Sequence, residues 1–104
     1  MGLIHEVSCA KRIRLVEVGA LNLVAAADFL LFVAGCREHD VAIVGIEGFH
    51  LHGGAAVPDM DAIADFSEMR GENLVAACAH EAERFFRQIE PTEMLFDFVL
   101  LDKA

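Results

Sequence analysis

Apolar and polar positions along this chain change rhythm several times, and each rhythm predicts an element. Arg12-Ile13-Arg14-Leu15-Val16-Glu17-Val18 alternates loosely, which predicts a first strand over 12–18 that Gly19 ends. From Asn22 the rhythm turns helical: Leu23, Ala26, Ala27, Leu30, Leu31 and Ala34 recur at the spacing of one helix face. Asn22 suits an N-cap, Gly35 suits a stop, and Arg37 carries the charge that a helix C-terminus favours, so a helix is predicted over about 22–36. Val41-Ala42-Ile43-Val44-Gly45-Ile46 is short, apolar and β-branched, which predicts a buried strand.

That strand is expected to continue through Glu47-Gly48-Phe49-His50-Leu51-His52. Period-two geometry then puts Glu47, Phe49 and Leu51 on one face and Ile46, His50 and His52 on the other. Gly53-Gly54 signals a hairpin, Ala55-Ala56-Val57 a short return strand, and Pro58 a limit to its pairing. Asp59-Met60-Asp61 reads as a turn or a single helical turn and Ala62 to Phe66 as a strand or part of a helix, with a turn and a short strand favoured. Beyond Gly71, Leu74, Cys78, Ala82, Phe85, Phe86 and Ile89 share one helical face, Asn73 is an N-cap candidate, and Pro91 is expected to stop the helix. From Glu93 the chain alternates again: Met94, Phe96, Phe98 and Leu100 on one face, Leu95, Asp97, Val99 and Leu101 on the other. The expected order is β-α-β-β-(β)-α-β. It predicts an α+β fold in which two helices pack on one face of a single, mainly antiparallel sheet.

Length changes the picture little: 104 residues suit one domain. Composition changes it more. At 56% hydrophobic residues the chain can bury a core, yet a small domain has much surface per volume, so some apolar residues stay exposed and a homodimer is the expected cover. Leu15 to Cys36 imitates a membrane span, and Val33-Ala34-Gly35-Cys36 imitates a lipoprotein cleavage box. Glu17 and Asp28 argue against both, since an acid near the centre of an inserted helix costs about 2.5–3.5 kcal/mol. The expectation is no membrane and a cytoplasmic location. Cys9, Cys36 and Cys78 show no metal-binding spacing and are expected to be buried, reduced thiols, with no cofactor implied.

Charge points to a partner class. The net charge is −9, which disfavours nucleic-acid binding, since that needs a basic stripe. No lysine or arginine lies between Arg37 and Arg70, a stretch that holds Glu38, Asp40, Glu47, Asp59, Asp61, Asp65 and Glu68. A field of one sign attracts and orients a surface of the other. A partner-facing patch and a solvated loop both explain the charges; only the patch explains the missing bases.

Three constellations could carry chemistry. His50 and His52 on one strand face could chelate a divalent metal, as part of an enzyme site, but two ligands do not define one. Glu47, flanked by Gly45 and Gly48 in an apolar strand, could act as acid or base, although no placed nucleophile accompanies it. Asp59, Asp61 and Asp65 start like a calcium loop but lack its glycine and its closing glutamate. The favoured contact set for a basic protein partner is Glu47, Phe49, Asp59, Asp61, Asp65 and Glu68. A self-associating structural domain is the blander alternative.

The strand segment Gly45-Ile46-Glu47-Gly48 followed by His50, with an amphipathic helix and the terminal apolar strand Met94 to Leu101, resembles a known layout. It is similar to the small immunity proteins that protect bacteria from tRNA-cleaving colicins and related toxins. The resemblance covers about residues 22–101 in layout, and the first twenty residues have no counterpart in it. It implies acidic mimicry, in which carboxylates occupy the site where a toxin nuclease would bind RNA phosphates.

Overall fold

The computed structural model describes residues 2–89 and 92–103. Its elements, in order, are helix α1 (Leu3–Ala10), strands β1 (Val16–Val18) and β2 (Leu21–Ala25), helix α2 (Phe29–Glu38), strands β3 (Val41–His52) and β4 (Ala55–Asp65), helix α3 (Leu74–Gln88) and strand β5 (Leu95–Asp102). The strands form one five-stranded sheet in the order β1-β2-β5-β3-β4, and every neighbouring pair is antiparallel. This is an α+β fold, as the sequence predicts.

The sheet has two unlike faces. Val24, Ile43, Ile46, Ala62, Phe96 and Phe98 join Val7 of α1, Phe29, Phe32, Val33 and Cys36 of α2, and Ala79 and Ala82 of α3 in one core. Phe29 is its hub: its ring stacks on Phe86 at 4.3 Å and meets the edge of Phe96 at 4.8 Å. Such aromatic pairs contribute about 0.5–1.5 kcal/mol beyond the area they bury. The opposite face carries only a smaller cluster around Leu23, Phe49 and Leu95, toward β1 and β2. The rest of that face leaves Leu51 49%, Ile63 43%, Val99 61% and Leu101 45% exposed.

Several expectations are corrected. Residues 21–25 are a strand, not the start of a helix. Gly19 turns the chain at φ 59°, so Val16 pairs with Leu23 and Glu17 with Asn22, while Val24 pairs with Phe96. Asn22 is therefore a strand residue rather than a cap, and α2 begins only at Phe29, after a single 3-10 turn over Ala26–Asp28. Gly35 does not end α2 but lies buried inside it, where a Cβ would stand 2.7 Å from Val7 Cγ1 and 2.8 Å from Lys11 Cγ. Its missing side chain is what lets α1 lie against α2. The first strand covers only Val16–Val18, because Arg12 turns at φ 58° and the Ile13 amide donates to the Ser8 carbonyl, closing α1.

A further correction is α1 itself, a helix that the expected element order did not contain. The last is β4, a single bulged strand in place of a short strand, a turn and another strand. Pro58 is tolerated because β4 lies at the sheet edge. α3 spans Leu74–Gln88 and Asn73 precedes it without a side-chain cap bond; Pro91, the expected stop, lies outside the described residues.

Candidate partner-binding surface

The acidic segment folds into the edge half of the sheet. β3 and β4 meet in a hairpin whose turn residues, Gly53 and Gly54, have φ of 57° and 84°, a conformation other residues adopt at a cost. From there His52 pairs with Ala55, His50 with Val57 and Phe49 with Pro58. The next pair is Glu47 with Ile63, so the four residues Asp59 to Ala62 stand against Gly48 alone. Asp59-Met60-Asp61 was expected as a turn; it is an outward bulge within an edge strand. Bulges of this kind discourage edge-to-edge pairing and re-aim side chains.

Two side-chain bonds pin the bulge. His50 Nε2 lies 2.8 Å from Asp59 Oδ2, and the Asp61 amide donates to Asp59 Oδ1 at 2.9 Å. The bond from His50, then the Asp61 amide, holds the Asp59 carboxyl below the usual carboxylate range. Gln88, Ile89 and Met94 border the same hollow, so Asp59 and Asp61 face the helical side of the sheet. Met60 at the tip is 79% exposed.

Glu47 and Asp65 belong to the other side. Glu47 pairs with Asp97 across β3 and β5, and Gly45 pairs with both Asp65 and Val99. A hollow of about 360 Å³ opens here, lined by Val44, Ile63 and Val99 and by the carboxylates of Glu47, Asp65 and Asp97. Burial pushes the Asp97 carboxyl above its ordinary range, against the pull of the Phe98 amide that donates to Oδ1. Asp65 is held low by bonds from Ser67, whose amide donates to Oδ1 at 2.9 Å.

The structure thus divides the contact set. Asp59 and Asp61 point to one side of β4, Glu47 and Asp65 to the other, and Glu68 lies exposed beyond the strand. Phe49 is only 5% exposed and is core for the smaller cluster, so it supports the surface from beneath rather than offering contact. Alternation along β5 puts Asp97 on the correct strand face, but cross-strand register, a long-range property, is what makes it the neighbour of Glu47.

His50 is engaged by Asp59 while His52 sits exposed at the hairpin end, and among the described residues no three His, Cys, Asp or Glu side chains gather as metal ligands. Cys36 and Cys78 are buried free thiols, and burial pushes Cys36 up to about 12. Cys9, expected to be buried, is exposed on α1. Among the described residues no helix is long and apolar enough to cross a membrane; the imitation span is divided among β1, β2 and α2.

Among the described residues no lysine or arginine forms an ion pair with Glu47, Asp59, Asp61, Asp65 or Glu68. Arg70, which ends the base-free stretch, spends Nη1 on the carbonyls of Ser67 and Met69, each at 2.9 Å. The Lys11–Glu38 and Arg84–Glu81 ion pairs lie on helices or their ends. Compared with protein families, with curated proteins and with solved structures, the chain matches none.

Proposed function

We propose that this chain is an acidic protein-binding module that covers a basic surface of its partner, in the manner of an immunity protein neutralising a toxin nuclease. One observation carries the reading. The base-free stretch folds into β3 and β4, so that carboxylates flank the exposed edge strand on both sides, and among the described residues no lysine or arginine pairs with them. Carboxylates arranged along an edge can stand in for the phosphates of a nucleic-acid strand. Complementary charge of this kind mainly speeds encounter and selects the partner.

The test is co-expression with the product of any toxin-like reading frame adjacent to this one. The chain should restore growth and block RNA cleavage by that product. A variant with Asp59→Asn, Asp61→Asn, Asp65→Asn and Glu68→Gln should lose protection while remaining folded. Absence of both complex and protection would overturn the proposal.

A further inference from the structure

The open face of the sheet is the part of the molecule that its own fold leaves unfinished. Among the described residues no helix covers it, and Ile63 and Val99 are 43% and 61% exposed around the hollow they line. The centre of the hollow is not apolar. Glu47 and Asp97 are register partners on adjacent strands, and directly opposed side chains on one sheet face stand about 4.5–5.5 Å apart at Cβ. Like charges in that position destabilise a sheet. The Glu47 carboxylate has no hydrogen-bond or ion-pair partner among the described residues, and the Asp97 carboxylate accepts only from the amide of Phe98. No lysine or arginine lines the hollow. Gly45 keeps its floor open, since a Cβ there would stand 3.2 Å from Val99 Cγ2.

Three occupants can be weighed. A second copy of the chain would bring its own Glu47, Asp65 and Asp97 to the same face and add to the repulsion. A metal ion wants a shell of several oxygen, nitrogen or sulfur ligands, and the hollow offers aliphatic walls between its carboxylates. An arginine fits both features. Its aliphatic stem suits apolar walls, and its planar, weakly hydrated guanidinium satisfies two carboxylates at once better than a point-charge ammonium does.

We propose that this face receives an arginine side chain of the basic partner, its stem against Val44, Ile63 and Val99 and its guanidinium between Glu47 and Asp97. This rests on the reading of the chain as a binder of basic proteins and names the group that is bound.

The experiment is a titration of the full chain, followed by amide NMR shifts, with N-acetylarginine methylamide. Its neutral isostere, the citrulline derivative, its lysine counterpart and a hexa-arginine peptide form parallel arms. Saturable shifts at Gly45, Glu47, Ile63, Asp97 and Val99 are expected with the arginine derivative, weaker ones with lysine and none with citrulline. Glu47→Gln and Asp97→Asn should each weaken binding by about five- to tenfold. Either substitution removes a like-charge repulsion, so unchanged or raised melting temperatures separate lost binding from lost folding. If hexa-arginine binds but moves only Asp59 to Glu68, the arginine seat is wrong and the proposed function stands. Equal binding of the lysine or citrulline derivative also overturns the seat. No binding in any arm overturns both.

Discussion

Asp59 does two jobs with one carboxylate: Oδ2 meets His50 and Oδ1 accepts from the Asp61 amide, so the bulge and the strand face are held by the same group. Both bonds favour the ionised form, which places its folded-state pKa below the unfolded value of about 3.9. A depressed pKa contributes stability that is present above the unfolded value and is lost as pH falls through the folded one. Asp59→Asn keeps an acceptor for the Asp61 amide but removes the charge. The wild-type melting temperature should therefore exceed that of the variant at neutral pH, and the gap should close as pH drops below the carboxylate range. A gap that stays constant down to acid pH would mean that the charge of Asp59 is irrelevant to the bulge. The faces of individual residues were legible in the sequence: Glu47 with Phe49, and Asp97 with Val99, follow directly from period two. The His50–Asp59 contact was not, since it depends on how many residues the edge strand accommodates opposite Gly48.

Elements were legible where local rhythm and tertiary pairing agree, as in β3, α3 and β5. Residues 21–25 show the opposite case. Leu23, Ala26 and Ala27 fit helical spacing, but Leu23 and Val24 are wholly buried only because β1 and β5 lie on either side of them. Pairing with distant strands overrode the local pattern. Gly48 gives a test of how tightly such pairing is set. A Cβ there would lie 2.6 Å from Met94 Cε and 2.8 Å from Ala62 Cβ, with the Ala62 carbonyl oxygen at 3.3 Å. The methionine end can swing away, but Ala62 Cβ moves only with the backbone of the bulge. Gly48→Ala should therefore lower stability by about 1–3 kcal/mol, read as a shift of the urea midpoint at unchanged slope. Gly45→Ala is the control: its tightest contacts are to the exposed Val99 side chain, and its loss should be clearly smaller. Equal losses would show that the bulge yields as easily as a surface side chain.

At the scale of the whole molecule, salt separates the two proposed occupants of the open face, a second copy and a basic partner. The chain carries −9 overall, and its uncovered apolar residues Leu51, Ile63, Val99 and Leu101 share a face with Glu47, Asp65 and Asp97. A homodimer through that face would gain apolar burial against the repulsion of two like-charged molecules. Screening shortens from about 30 Å at 0.01 M salt to about 3 Å at 1 M, which weakens the repulsion and leaves the apolar gain in place. Self-association should therefore strengthen with salt. Capture of a basic protein draws on the same carboxylates with opposite sign, so its on-rate should fall by about tenfold or more over that range. Sedimentation of the chain alone and stopped-flow mixing with a basic partner, each across the salt series, should give opposite slopes. A chain that dimerises tightly at the lowest salt would show that apolar burial outweighs its charge, leaving the open face to a second copy and only the acidic edge to a partner.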